Sequence, residues 1–294
     1  MKAAVEHIKQ DFAFTERRAC QVLSFPVSTF RYRSVRRDQE LRERLVELAR
    51  EKPRFGYRRL HVLLRRNGEQ VNHKRVWRVY REAGLCVKRR KRKRLVRAGV
   101  KPTTSAAANQ EWALDFASDV LAPGRTLRVL GVVDTFTREC LALEADTSFA
   151  SRRVTRVLEQ IIRERGRPHS IRCDNGPELT SRHFLAWCIE WKILLVHIQP
   201  GRPMQNGHVE SFNGKLRDEC LNVSWFRNLF DARRKITAWR HDYNQLRPHS
   251  SLAYRTPSEF AALNNSRWAD AGQGTSVAGP LPHAPFPALT LNDG

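Results

Sequence analysis

No two cysteines in this chain stand at the spacing that builds a zinc finger. Cys20, Cys86, Cys140, Cys173, Cys188 and Cys220 are scattered without a C-x-x-C string, and the ten histidines do not pair with them. Neither a structural zinc site nor a disulfide framework is therefore expected. Long apolar runs are missing too: nothing approaches the roughly 18 residues a membrane-spanning helix needs. With no secretory leader at the N-terminus, reduced thiols and a cytoplasmic setting are the expectation. Acidic residues are in short supply. Against 53 Lys and Arg there are 30 Asp and Glu, a formal charge of +23 over 294 residues. That imbalance requires a polyanionic partner. A membrane surface fits poorly, because the basic segments have no long apolar stretch beside them.

The excess charge is unevenly placed. Residues 1–104 hold 30 basic and 10 acidic side chains, and the remainder 23 and 20. A strongly basic arm joined to a nearly neutral remainder is the footprint of a nucleic-acid reader attached to something else. Residues 16–23 have a helical pattern with Thr15 as N-cap. Pro26 and Ser28 break it before a second short run that carries Arg31 and Arg33. Segment 1–34 thus reads as a small helix-turn-helix or as a helical hairpin packed on its neighbour.

In residues 38–51, Leu41, Leu45 and Leu48 mark an amphipathic helix. Leu60, Leu63 and Leu64 mark another; Asn67-Gly68 is a turn, and Asn72 can cap a further helix with Val76, Val79 and Tyr80 inward. His73, Lys74, Arg75, Arg78 and Arg81 lie on its remaining surface. An apolar stripe inside and basic groups outside describe a recognition helix, with a solvated basic helix as the plainer alternative. Residues 35–87 are accordingly assigned as a helix-turn-helix DNA-binding domain. Lys88, Arg89, Arg90, Lys91, Arg92, Lys93 and Arg94 come next without interruption, and such a run has nothing to bury. It reads as an arm laid along phosphates, and 88–110 as arm and linker.

From Glu111 the texture changes. Strands are expected at 112–117, 127–134 and 140–145. A helix at 151–165 carries Val154, Val157, Leu158, Ile161 and Ile162. A strand at 171–173, a helix at 182–191, a strand at 194–198 and helices at 206–221 and 231–243 complete the series. Three strands, helix, strand, helix, strand, helix is the order of a ribonuclease-H-like fold. The predicted class is α/β, a mixed five-stranded sheet with helices over 111–262, preceded by all-α segments. Residues 263–294 turn to Ala, Gly, Pro and Ser and are expected to be disordered.

Three acids stand out within this order. Asp115 lies in the apolar strand Trp112-Ala113-Leu114-Asp115-Phe116, where a charge is expensive unless something neutralises it. Asp174 ends the short strand 171–173 and precedes Asn175-Gly176, a string that by itself signals a turn. Glu210 falls in the helix that begins after Gln205-Asn206-Gly207-His208, and thirty-five residues separate it from Asp174. Other acids have plainer roles: Asp134 ends a strand at a hairpin, Asp119 and Asp146 fall in turns, and Glu178 comes after a proline in the loop beyond Asp174.

The strand Asp, the strand-end Asp-Asn-Gly, the helix Glu and the gap between them resemble the DDE transposases of the retroviral-integrase superfamily. The likeness is greatest to the second-frame (OrfB-type) transposases of bacterial copy-out-paste-in insertion sequences, and YNQLRPHSSLAYRTPSEF, residues 243–260, is similar to that family's closing motif. The tail beyond it departs from the family pattern. The resemblance implies that Asp115, Asp174 and Glu210 are the catalytic and metal-binding acids. Two Mg²⁺ ions, with Mn²⁺ able to substitute, would be shared as Asp115 with Asp174 and Asp115 with Glu210. Three close carboxylates need such compensation, since otherwise each raises the others' pKa. It also implies that Arg217, seven residues beyond Glu210 and on nearly the same helix face, contacts DNA, with Lys215 a weaker candidate. His208 is read as a cap or phosphate contact, and the loop 199–205 as a flap.

The activity implied by the resemblance is cleavage and strand transfer on double-stranded DNA, with the element's terminal inverted repeats and a target as substrates. The resemblance further implies a homo-oligomer on DNA, an upstream-frame partner or fusion, and a bacterial, nucleoid-associated location. The alternatives are a nuclease of the same fold that does not join strands, and an inactive DNA-binding regulator.

Overall fold

The computed structural model describes residues 1–32, 38–87, 105–198 and 207–271, with side chains to residue 264. The basic run from Lys88 to Arg94 and the loop 199–205 lie outside the described residues. The chain divides into two compact units, one of Met1–Lys52 with Val71–Cys86 and one of Pro53–Gln70 with Val87–Gly294. These bounds cut across the segment 35–87 that the sequence suggests as one domain.

In the first unit, α1 (Lys2–Asp11), α2 (Glu16–Val22) and α3 (Val27–Arg31) enclose a miniature core of Val5, Ala19 and Cys20, with Ile8, Leu23, Phe25, Val27 and Phe30 against it. Thr15 caps α2 by accepting from the Arg18 N–H. Helix α1 is not apparent from the sequence, because Val5 is its one fully buried residue and so little of a helical stripe is visible. Helix α4 (Gln39–Glu51) buries Leu41, Leu45 and Leu48. Helix α6 (His73–Glu82), capped by Asn72 through the Lys74 N–H at 2.8 Å, buries Val76, Val79 and Tyr80. α4 and α6 pack together.

The second unit holds α5 (Tyr57–Arg66) and a five-stranded sheet. The strands are β1 (Glu111–Val120), β2 (Thr126–Asp134), β3 (Cys140–Asp146), β4 (Ser170–Cys173) and β5 (Leu194–His197), in the spatial order β3-β2-β1-β4-β5. β1, β2 and β3 form an antiparallel meander, whereas β4 and β5 run parallel to β1. That mixed order is the ribonuclease-H-like arrangement. The long hairpins at one side are built by local turns: Asp134 accepts from the N–H groups of Phe136 and Thr137, which is the hairpin role read from its position.

Side chains alternate across the sheet, as strand geometry requires. Trp112, Leu114, Leu130, Val132 and Ile171 face α7 (Ser151–Arg165) and α8 (Arg182–Glu190), whereas Ala117, Val129, Val133 and Leu143 face α9 (Gly207–Glu219) and α10 (Leu229–Gln245). Both faces are therefore covered. The outer edge of β3 is closed by polar side chains of α10. Arg240 and Asn244 donate to the Cys140 carbonyl at 3.0 and 2.9 Å, Asn244 accepts from the Cys140 N–H, and Arg233 donates to the Ala145 carbonyl. An edge occupied in this way cannot add another strand.

Helix α11 (Pro257–Ala271) runs into the stretch expected to be disordered from 263. Its start explains it. The Thr256 hydroxyl accepts from the Glu259 N–H and the Glu259 carboxylate from the Thr256 N–H, a reciprocal capping box.

Candidate active site

The sheet register sets the level of two of the acids. Ala113 pairs with Arg172 in the parallel β1–β4 ladder, so two residues further on Asp115 and Asp174 come to corresponding positions past its end. Asp115 lies on the same face of β1 as Ala113 and Ala117, the face covered by α9. There the Asn213 amide donates to Asp115 Oδ2 at 2.8 Å, joining helix to strand. Directly across the β1–β2 ladder from Asp115 is Gly131, where a Cβ would stand 3.2 Å from Phe212 Cε1. The missing side chain lets α9 lie close to the sheet, with Phe212 wedged between it and the rings of Trp239 and Tyr243. Glu210 is in the first turn of α9 and exposed.

Burial pushes the Asp115 carboxyl up to about 6, and the negative charges of Asp174 and Glu210 push in the same direction. The Phe116 N–H, 2.8 Å from Asp115 Oδ1, and the Asn213 amide oppose them. Asp115 therefore senses both companions. Among the described residues, none of the three acids is paired with a lysine or arginine. Most other half-buried acids here do have such a partner: Glu111 has Arg172, Glu139 has Arg165, Asp146 has Arg153 and Arg233, and Glu219 has Arg247.

The carboxylates share a region without converging on one point. Among the described residues, no three His, Cys, Asp or Glu side chains are grouped closely enough to hold a metal ion. The donor set suits a hard cation, since it offers carboxylate oxygens only. Cys173 and His197, the softer candidates beside it, face each other at 3.7 Å. One further oxygen, Asn213 Oδ1, is buried without a hydrogen-bond partner.

Two residues near these acids are tied to the site more closely than the sequence suggests. Glu178, by sequence a loop acid with no bearing on the site, has its Oε2 only 3.2 Å from where a Cβ on Gly176 would stand, and Asp174 Oδ1 is 3.1 Å from the same point. The two carboxyl groups thus flank one glycine. Glu178 is ion-paired with Arg128, whose guanidinium lies 4.4 Å over the ring of Phe116, the neighbour of Asp115. Sequence reasoning misses Asn213 altogether, although its position three residues beyond Glu210 puts it on the same helix face.

The expected DNA contacts are distributed less simply. Arg217 is exposed and, among the described residues, has no partner. Lys215, by contrast, is turned about 140° from Glu210 around the helix. It is half-buried, donates to Ser211 Oγ at 3.0 Å and has Arg247, Glu219 and Arg59 as neighbours, so it belongs to the back of α9 and not to its acidic front. His208 is half-buried, with burial and then Arg138 lowering its pKa. In the other unit His73 and Lys74 are exposed on α6, but Arg75 and Arg78 both bind the carboxylate of Asp38. That tertiary pairing takes up part of the basic face that periodicity alone leaves open.

The sheet order and its covering helices are those of an integrase-type core, and comparisons with known proteins place the chain among them. The family described as Integrase core domain matches residues 105–203, a second Integrase core domain family matches 191–257, and an HTH-like domain family matches 36–93. The 31.7 kDa protein of insertion element IS407 from Burkholderia multivorans is 46% identical over 263 residues, which are 88% of this chain and 95% of that protein. Transposase InsD of insertion element IS2D from Escherichia coli is 27% identical over 241 residues, 76% of this chain and 78% of its own length. Among solved structures, the HTLV-2 integrase catalytic core domain in complex with magnesium covers 53% of this chain and 98% of its own, at 22% identity and a TM-score of 0.44. The chain belongs to the insertion-element transposases with an integrase core.

Proposed function

We propose that this protein cuts DNA at the ends of an insertion element and joins the freed strand to a new phosphodiester, with Asp115, Asp174 and Glu210 as its catalytic acids. One observation carries the reading. In a chain with 53 basic and 30 acidic residues, Asp115, Asp174 and Glu210 lack a cationic partner among the described residues, and burial, with the charges of Asp174 and Glu210, raises the pKa of Asp115. Unpaired acids held together are costly unless an outside cation compensates them.

Two divalent ions of the Mg²⁺ class, when bound, would supply activation of the attacking oxygen and stabilisation of the leaving oxygen. The chain's own residues would do the rest. Asp115 and Asp174 would hold one ion, and Asp115 with Glu210 the other. The Asn213 amide orients Asp115 Oδ2. Arg217, on the Glu210 face, would grip a phosphate next to the reacting bond. Residues 35–87 with the basic arm 88–110 would bind the duplex, and residues 111–262 would carry out the chemistry. In the first step a water oxygen attacks phosphorus and the 3′ oxygen leaves as a hydroxyl. In the second, that 3′-hydroxyl attacks another phosphodiester, whose own 3′ oxygen departs. Two ends held together require at least a homodimer on DNA, with an upstream-frame segment as a further partner.

The test is incubation of the full chain with duplexes ending in the element's terminal inverted repeats and Mg²⁺ or Mn²⁺, and then mapping of new junctions. Nicks at the repeat tip and joined products are expected. Hydrolysis without joining from a pre-cut end would reduce the protein to a nuclease, and DNA binding with neither reaction would reduce it to a regulator.

A further inference from the structure

The segment 243–260 takes no part in the proposed chemistry, yet it is among the most heavily constrained parts of the second unit. Arg247 is 1% exposed and donates to both carboxylate oxygens of Glu219, at 2.8 and 2.6 Å. His249 is buried, with its carbonyl accepting from Leu252 and Tyr254 and its N–H donating to the Arg255 carbonyl. Thr256 is buried at the capping box of α11. Between these anchors Ala253 and Tyr254 have φ of 52° and 62°. Two consecutive non-glycine residues in the left-handed region are strained, and such strain persists where the surroundings over-determine it and commonly where a side chain is being aimed. Here the side chain is Tyr254.

Tyr254 helps to line a cavity of about 330 Å³ together with Arg54, Tyr57, Arg58, Arg59 and Ser250. No carboxylate lines it, and among the described residues Arg54 and Arg58 have no acidic partner. Arg58 is held in place by phenols: its Nε donates to Tyr57 Oη at 3.1 Å, and it also bonds Tyr254, so its pKa is raised above the ordinary value, Tyr57 being the main cause. Behind Arg59 lie Arg247 and Lys215, with Glu219 as the counter-charge, Arg59 reaching it at 3.9 Å. A cation would be repelled from this cavity, and an apolar ligand would strand its guanidinium groups. Forked donors beside aromatic rings match a phosphate carrying a planar base.

We propose that this cavity is a DNA subsite that takes one nucleotide of a bound strand, its phosphate between Arg54 and Arg58 and its base against Tyr57 and Tyr254. The inference rests on the proposed action on DNA and deepens it by bringing Tyr254, far in sequence from the basic arm, to the arginines of α5 and its approach.

The test is fluorescence anisotropy of the full chain with labelled duplexes, blunt and with a single-stranded flank, over a series of salt concentrations. The double variant Arg54→Ala/Arg58→Ala is expected to lose tenfold or more in affinity, and the slope of log affinity against log salt to fall by about one, the value for one phosphate contact. Tyr254→Leu is expected to weaken the flanked duplex about fivefold or more with the slope unchanged. Tyr57→Leu serves as the second aromatic variant should the strained turn fail to fold with leucine. A slope change confined to the arginines and absent from the tyrosines is not what general destabilisation produces. Wild-type affinity and slope in the double variant would overturn the subsite while leaving DNA binding intact. Absence of DNA binding by the wild-type chain would instead sink the action on DNA itself. Inorganic phosphate and a free deoxynucleotide are run as competitors. If the free nucleotide binds as tightly in a manner lost with Arg58, and DNA binding is untouched by the same variants, the cavity serves a free nucleotide and the proposal fails.

Discussion

The two faces of α9 treat charge in opposite ways. On the back, the Glu219 carboxylate is bound through both oxygens by Arg247 and approached by Arg59, and Lys215 lies half-buried beside them. On the front, Glu210 is exposed, Asp115 is held by an amide and not by a cation, and Arg217 is unpartnered among the described residues. A helix clamped by neutralised charges behind has a fixed rotation. Acids left unneutralised in front are then available to something that is not protein. Gly131 contributes to the same end by letting Phe212, and with it the helix, come down onto β2.

Removing one acid from the front breaks the contrast most severely. Asp115→Asn, Asp174→Asn or Glu210→Gln should each reduce cleavage and joining by roughly 10³-fold or more while DNA affinity in a mobility-shift assay changes little. Strand transfer retained by any one of them would remove that residue from the site. On the back the expected loss is in stability. Arg247→Met leaves the half-buried Glu219 carboxylate only the longer Arg59 contact at 3.9 Å and should cost up to about 3–5 kcal/mol in denaturant unfolding. Arg247→Met with Glu219→Leu should recover most of it, and failure to recover would mean that packing and not charge holds this face.

A subtler change shifts the helix itself. Gly131→Val should cost about 1–3 kcal/mol by overpacking and lower the cleavage rate beyond what the remaining folded fraction explains; Gly131→Ala, needing only a small shift of the Phe212 ring, should do much less. A further effect is a pH dependence on the back face. Burial, and then Arg247, push the Lys215 ammonium down from its ordinary 10.5 to about 8. Between those values the unfolded chain binds the proton that the folded chain has released, so stability should rise with pH across that window, by at most about 1.4 kcal/mol per unit. Lys215→Met should flatten that rise relative to wild type, and identical pH profiles would place Lys215 in solvent.

Features with a local cause are legible in the sequence, and features with a distant cause are not. The order of elements along the chain, the positions of Asp115 and Asp174 at strand level and Glu210 in a helix all come from periodicity and turn strings within a few residues. The Thr15 and Asn72 caps are legible for the same reason. The helical repeat alone is enough to place Lys215, since five residues from Glu210 lead to the opposite side, and the same count finds Asn213. The Thr256 to Glu259 capping box is visible in the sequence, but the Ala-rich and Gly-rich composition beyond it obscures the helix. No local pattern reveals the tertiary pairings: Asp38 taking up Arg75 and Arg78 across a gap of more than thirty residues, Arg128 reaching Glu178, and Arg247 finding Glu219. Those pairings decide which charges remain available, so the basic face of α6 is smaller than its sequence suggests.

If Asp115, Asp174 and Glu210 act together on divalent cations, calorimetric titration of Mn²⁺ into the full chain bound to a short duplex measures it without relying on turnover. Saturable binding is predicted in the wild type, lost or greatly weakened in Asp174→Asn and in Glu210→Gln and left intact in Lys215→Met. Equal Mn²⁺ binding by the wild type and by both acid variants would contradict it.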